Sequence, residues 1–170
     1  MFSINKPTLA IGLLLILVFS SVVFAASDKA PGALPEKALM NQQGLTHFKR
    51  GYYDMIPRGR KVEAQQEMAR AEQAFMRAIE IDPDFTDAHR NLARLYYLQK
   101  KYDQAAIEYS HVLRLDPGDI DTYVQMAVVE TELGNFEEAV NHLEAAKKET
   151  EDEQVIQKLD NYIQKIEEAR

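Results

Sequence analysis

Four histidines are the side chains in this sequence best suited to hold a metal or move a proton near neutral pH. His47, His89, His111 and His142 include no His-Glu-x-x-His pair or other metal-ligand interval, and no cysteine is present to complete a site. The chain also has no glycine-rich phosphate loop and no Gly-x-Ser-x-Gly elbow. Its carboxylates are many but fall mainly on helix faces open to water, where no dry pocket would shift a pKa for acid–base work. Catalysis, a metal and a cofactor are therefore not expected, and His89 is expected to be partly buried in a core. One basic stretch remains, between His47 and Val62. It carries Lys49, Arg50, Arg58, Arg60 and Lys61 against Asp54. Near a bilayer each such cation contributes about 1 kcal/mol toward anionic headgroups. The plainer reading is a solvated loop whose Pro57 and Gly59 make the turn.

The elements that carry these residues are set by a repeat. "IDPDFTDAHRNLA" starts at Ile81 and "LDPGDIDTYVQMA" at Leu115, 34 residues later. Residues 86–119 overlie residues 120–153 without a gap: Leu92-Ala93 on Met126-Ala127, Ala105 on Ala139, Tyr109 on Leu143. In each unit an apolar stripe recurs at helical spacing, breaks, and resumes. The breaks are Gln99-Lys100-Lys101 and Leu133-Gly134-Asn135, and Gly134 suits the left-handed position that ends a helix. Pro83 and Pro117 end each unit. A unit is thus two antiparallel helices, too short to bury its apolar face alone but able to stack on a copy of itself.

These residues resemble the tetratricopeptide repeat. Its pattern of a bulky residue, Leu, a small residue and Tyr, then Ala, an aromatic, Ala and Pro, is met by His89, Leu92, Ala93, Tyr96, Ala105, Tyr109, Val112 and Pro117. The next unit supplies Tyr123, Met126, Ala127, Ala139, Leu143 and Ala146, with Glu151 where the proline belongs. An upstream copy keeps Ala71, Phe75, Ala78 and Pro83 in its second helix and Leu45, Phe48, Lys49 and Tyr52 in its first. Ten extra residues lie between Tyr52 and Ala71 in that copy. The fold implied is all-α: a short right-handed superhelical array of three helix pairs, the first with a lengthened inter-helix segment, plus a C-terminal capping helix. The repeats are expected at about 42–85, 86–119 and 120–153. The cap is expected at about 152–168, opened by a Thr150–Glu153 capping box and covering the last repeat with Val155, Leu159, Tyr162, Ile163 and Ile166. Lys158, Asp160, Lys165, Glu167 and Glu168 lie on its opposite, polar face. Ala71, Ala105 and Ala139 are expected where helices cross, with Phe75 and Tyr109 wedged between units.

The same resemblance implies a concave face, lined by first helices, that holds a peptide. Its lining would be Thr46, Arg50, Tyr53 and Asp54, then Arg90, Asn91, Arg94, Tyr97 and Leu98, then Val124, Gln125, Val128, Thr131 and Glu132. The carboxylate clamp of the family, with Lys and Asn on the first unit, is not reproduced, since Thr46 and Arg50 occupy those places. Guanidinium groups take carboxylates in paired hydrogen bonds, and Tyr53 and Tyr97 add flat apolar surface. A partner protein or peptide with an acidic segment is the expectation; the plainer alternative pairs these arginines with neighbouring acids. Three units leave open edges, so self-association stands beside ligand binding as a use for Val124 and Val128.

The chain has 170 residues and a formal net charge of −7, with 20 Lys and Arg against 27 Asp and Glu. That balance argues against a general nucleic-acid binder, which needs clustered cations. Residues 1–26 comprise Lys6 and then an uncharged apolar run ending in Val23-Phe24-Ala25, the pattern of a cleavable signal peptide. An uncleaved membrane anchor is the other reading. Residues 27–36 carry two prolines and a glycine and read as a linker to a repeat domain over 37–170. Either reading places the repeats outside the cytoplasm, in the periplasm or held at the inner membrane. The expected function is a noncatalytic exported scaffold that binds proteins through its groove during assembly of an envelope complex. A membrane-anchored assembly or maturation factor, or an accessory subunit inactive alone, are the alternatives.

Overall fold

The described part of the chain begins with a helix set directly behind a proline: α1, Glu36–Lys49, follows Pro35, whose extended backbone (φ −52°, ψ 144°) turns the chain into it. The computed structural model describes residues 34–169. The expected export segment over residues 1–26 lies outside the described residues, as does most of the expected linker. After α1 come a π-helical segment, Arg50–Met55, and then α2 (Lys61–Ile81), α3 (Thr86–Leu98), α4 (Tyr102–Leu115), α5 (Ile120–Leu133), α6 (Phe136–Lys148) and α7 (Glu153–Ala169). Consecutive helices pack as pairs, α1 on α2, α3 on α4 and α5 on α6, and α7 closes the last pair. None of the described helices is long and apolar enough to cross a membrane.

The repeat is written into the backbone at the turn inside each pair. Gly134 is left-handed (φ 82°), and Lys100, 34 residues earlier, takes the same conformation (φ 60°). Both turns close with one bond pattern: the Lys101 N–H donates to the Tyr96 carbonyl (2.9 Å) and the Asn135 N–H to the Glu130 carbonyl (2.8 Å). Gly59 (φ 72°) is the third such position, and there the Arg60 N–H donates to the Met55 carbonyl (3.0 Å).

This equivalence shows where the ten extra residues go. Gly59 precedes Ala71 by 12 residues, whereas Lys100 precedes Ala105 by 5, so α2 gains seven residues, two helical turns. Two whole turns keep the buried stripe in phase, and Ala64 and Met68 simply continue the row of Ala71, Phe75 and Ala78. The other three residues enter the end of the first helix, where bonding slips by one residue and the Ile56 N–H donates to the Gly51 carbonyl (3.1 Å). The lengthened segment is therefore mostly helix. Its turn cations are paired: Arg58 with Asp54, and Arg60 Nε with Glu63 at 3.2 Å.

Close approach at small residues holds the pairs together. Ala71, Ala105 and Ala139 are fully buried, as are Ala78, Ala93 and Ala146, and against them lie Phe75, Tyr109 and Leu143. Burial pushes the Tyr109 hydroxyl pKa up to about 12. In α1 the sequence pattern points to Lys49 as the small position, but Lys49 is exposed. The close approaches fall instead at Gly44 and Gly51, seven residues apart on the buried stripe with Asn41 and Phe48. His89 is buried outright; it hydrogen-bonds through Nε2 with the Pro83 carbonyl (2.9 Å) and through Nδ1 with Glu108 Oε2 (2.6 Å). Its ring stacks on His111 at 4.9 Å.

Two details of α7 differ from the sequence pattern. Its N-cap is Asp152, whose Oδ1 accepts from the Gln154 and Val155 N–H groups; the Thr150 hydroxyl bonds only to the Asp152 N–H, outside the helix. Leu159 and Ile163 are buried as expected, but Tyr162 is 48% exposed and faces out.

A Cβ built on Gly44 would sit 2.5 Å from Phe75 Cε1, and Phe75 is 1% exposed, with nowhere to move. Gly44→Ala is therefore expected to destabilise the protein by about 1–3 kcal/mol despite alanine's better helix propensity. Equilibrium urea unfolding checks this, and an unchanged or raised midpoint would refute the packing.

Candidate peptide-binding groove

The first helices of the three pairs bring the expected lining residues together in two groups. In the first, Asn91 Nδ2 on α3 donates to Asn41 Oδ1 on α1 (2.9 Å). Asn41 is buried, and nothing in the sequence pattern singled it out. Arg94 extends over Phe48, its guanidinium carbon 5.6 Å from the ring centroid, and donates to the Tyr53 hydroxyl (3.4 Å). Phe48, Tyr52 and Tyr53 form one aromatic cluster, Phe48 stacked on Tyr52 at 5.7 Å and Tyr53 edge-on to both. Tyr53 and Arg94 are exposed, and no carboxylate of the described residues pairs with Arg94.

The other two arginines are occupied. Arg90 donates to Asp119 Oδ2 (2.6 Å) and to Asp87 Oδ1 (3.3 Å). Asp119 caps α5, accepting from the Thr122 N–H (3.1 Å) and from the Thr122 hydroxyl (2.7 Å), so Arg90 bonds the second unit to the third. Burial opposes ionisation of Asp119, but the bonds from Thr122 and Arg90 outweigh it and hold the carboxyl below its ordinary 3.8. Arg50 Nη1 lies 3.9 Å from Glu67 Oε2, in a cluster with His47 Nδ1 (2.7 Å from the same oxygen) and Arg70 Nη1 (2.6 Å from Oε1). The His47 hydrogen bond, with Arg70 and Arg50 adding to it, keeps the buried Glu67 carboxyl below the ordinary range. Thr46 spends its hydroxyl on the Gln42 carbonyl (2.9 Å), and Asp54 pairs with Arg58.

The second group is more apolar. Val124, Gln125, Val128, Thr131 and Glu132 on α5 line a hollow of about 410 Å³ whose far wall is α7. Tyr162 and Lys165 supply that wall, with the Lys165 ammonium 5.9 Å from the Tyr162 ring centroid. The sequence pattern set these two on opposite faces of the cap, one toward the core and one toward water; here they share the rim of the hollow. Tyr97 bridges the groups: its ring is 5.8 Å from Tyr102, whose hydroxyl donates to Glu132 (3.0 Å). Burial, and then the Glu132 charge, raises the Tyr97 pKa. Among the described residues no cluster of three His, Asp or Glu side chains could hold a metal ion.

Residues 58–120 and residues 99–159 each match a family profile of the tetratricopeptide repeat. Over 54 residues, 32% of this chain, the sequence is 35% identical to the Hsp70-Hsp90 organising protein of Plasmodium falciparum, and the match spans 10% of that protein. The TPR2B domain of yeast Sti1, solved in complex with an Hsp70 partner, superposes with a TM-score of 0.63 at 14% identity, covering 79% of this chain and 98% of the other. The first such domain of Spaghetti (RPAP3), bound to the HSP90 peptide SRMEEVD, gives 0.55 at 19% identity over 76% and 94%. The type III secretion translocator chaperone SycD of Yersinia enterocolitica gives 0.60 at 14% identity over 79% and 87%. At such identities the likeness establishes the fold.

The two groove arginines of α3 differ in what they support. Arg90→Ala is expected to lower stability by about 1–3 kcal/mol, since it strips a partner from a mostly buried carboxylate; Arg94→Ala is expected to change it by under about 0.5 kcal/mol. Because the Asp119 pKa is depressed on folding, the Arg90 contribution is present above pH 3.8 and fades as pH falls through the lower folded value. Thermal unfolding of both variants from pH 7 down to pH 2 reads this out, and a loss of stability from Arg94→Ala matching that from Arg90→Ala would contradict the assignment.

Proposed function

Residues 58–159 carry tetratricopeptide repeats, and on that premise we propose that the protein is a noncatalytic adaptor whose concave face holds a peptide segment of a partner protein. The segment lies across the first helices with a carboxylate at Arg94 and an apolar side chain against Val124, Val128 and Tyr162. The observation that carries this reading is the state of Arg94, an exposed guanidinium without an acid partner among the described residues, steadied by Phe48 and Tyr53. A cation held on an aromatic ring and still lacking its anion is preorganised for a carboxylate. The hollow beside α7 offers apolar surface for the rest of the segment. One solved structure of similar fold is bound to the HSP90 peptide SRMEEVD, an acidic sequence, which supports an acidic partner here.

The setting we propose is the one the sequence suggests: residues 1–26 direct export, and the repeats act outside the cytoplasm in assembly of an envelope complex. The mass of the chain recovered from cells separates a cleaved leader from a retained anchor. The partner itself is caught by photo-crosslinkers placed at Val128 and at Tyr97. Both positions are expected to capture the same protein, and Arg94→Glu is expected to cut the yield about tenfold, the worth of one charge-assisted contact. Undiminished capture by a folded Arg94→Glu variant would mean that the partner does not dock in the groove.

A further inference from the structure

The two added turns of α2 create a second recess that the repeat pattern alone would not contain. Carried past the α3–α4 turn, the lengthened pair leaves a cleft of about 610 Å³ between itself and that turn, well inside the range of ligand and peptide pockets. Its floor is apolar, made by Ile56, Ala64 and Met68 from the first pair and Leu98 from α3. Leu98, expected on the groove, lines this cleft. Ile56 is 47% exposed over it, a large apolar side chain with nothing on it. The rim is cationic. Lys101 donates to Glu72 (3.4 Å), the single acid of the lining, and Lys61 has no carboxylate within ion-pair distance among the described residues, so the lining keeps an excess positive charge. Arg60 and Lys100, their exposed neighbours in sequence, lie outside the lining, and Arg60 is paired with Glu63.

Gln99 Oε1 is buried and lacks a hydrogen-bond partner, alone in that respect among the buried side-chain polar atoms of the described residues. Leaving a buried acceptor unpaired costs about 1–3 kcal/mol, so such an atom calls for a donor. Gln99 is among the residues that line the cleft, and its terminal amide turns about a soft torsion, so a donor bound there is within the reach of that side chain. A carboxamide offers one acceptor and two donors, which matches the N–H and C=O of a single peptide unit. A lipid chain or a free fatty acid has no such donor.

We propose that this cleft is a second binding site, distinct from the concave groove, and that it takes a short peptide segment of an apolar residue followed by acidic ones. The apolar side chain fills the floor over Ile56 and Met68, the backbone pairs with Gln99, and the carboxylates meet Lys61 and Lys101. With both sites engaged, the protein holds two segments at once, and avidity rises with no new contact in either.

The test titrates the 15N-labelled full chain with acetyl-Ala-Leu-Leu-Asp-Glu-amide and with its neutral counterpart ending Asn-Gln. The acidic probe is expected to shift the amide signals of Ala64, Leu98, Gln99 and Lys101, and to bind at least about fivefold tighter than the neutral one. The double variant Lys61→Glu, Lys101→Glu is expected to abolish the shifts. Since Lys101 also pairs with Glu72, Ile56→Asp serves as a second variant, on an exposed position, with the same loss expected. Arg94→Glu should leave this binding unchanged, which keeps failure here separate from failure of the groove. Shifts confined to Arg94, Tyr97 and Val128, equal affinity for the two probes, or no response up to millimolar peptide would overturn the proposal. Binding to phosphatidylglycerol vesicles in place of the peptide would overturn it as well.

Discussion

Everything in this protein is arranged around places where two helix backbones come closer than ordinary side chains allow. Gly44 is such a place, where the Phe75 ring of the facing helix fills the space a Cβ would take, and Ala71, Ala93, Ala105 and Ala139 are the fully buried small positions of the other helices. Phe75 lies against Gly44 within its own pair, and Tyr109 belongs to a cluster that runs from Phe48 through Leu92 and Leu95 to Met126 and Val129 of α5. A second cluster, from Ala127 through Leu143 to Leu159 and Ile163, ties the last pair to α7. α5 belongs to both, one side turned to each. Each pair buries apolar surface of its own, and the two clusters also run across the boundaries between pairs and onto α7, so the array is held between pairs as well as within them.

That dependence explains how a ten-residue insertion is tolerated and what it makes. An addition of arbitrary length in α2 would rotate Ala64 and Met68 off the buried stripe and expose them. Seven residues, two whole turns, leave the stripe intact, and the remaining three are absorbed where a π-helical register loosens the end of the first helix. The lengthened pair then projects past its neighbour, and the cleft beneath it is a geometric consequence of keeping the core in phase. The groove on the first helices follows from the same stacking. Holding adjacent units in register uses Arg90 on Asp119 and Asn91 on Asn41, which leaves Arg94 as the member of the α3 set still open to a partner.

Most of the fold could be read from residues 86–153, where the two units align without a gap and the helix breaks carry their own markers, Gly134 above all. The first pair was harder, for a physical reason. Among the described residues no unit precedes it, and there Leu45 stays half-buried and Lys49 sits in water. The family pattern, aligned on large apolar residues, then slid onto the wrong small position, while the true one was marked by Gly44 and Gly51 at a seven-residue interval. Export, cellular setting and the residues before position 34 were read from sequence alone. In the groove the types of residue were legible but their pairings were not, because an arginine facing water and one bonded to a cap residue look alike in a sequence. Asp119 gave a usable signal, as an aspartate three residues before Thr122 at a helix start is placed to cap the helix and to accept from a cation opposite. Tyr162 gave none, since a helical stripe one residue wider than the surface it covers reads the same as one that fits.

If burial between pairs is what stabilises the array, removing its largest shared wedge has to weaken elements on both sides of it. Amide hydrogen exchange on Tyr109→Ala is the direct measurement. Protection is expected to fall in α3 and α4 and also in α5, whose Met126 and Val129 lose a packing partner in the shared cluster. Protection in α5 through α7 that stays at the wild-type level, with loss confined to the pair carrying the substitution, would mean each helix pair stands by itself.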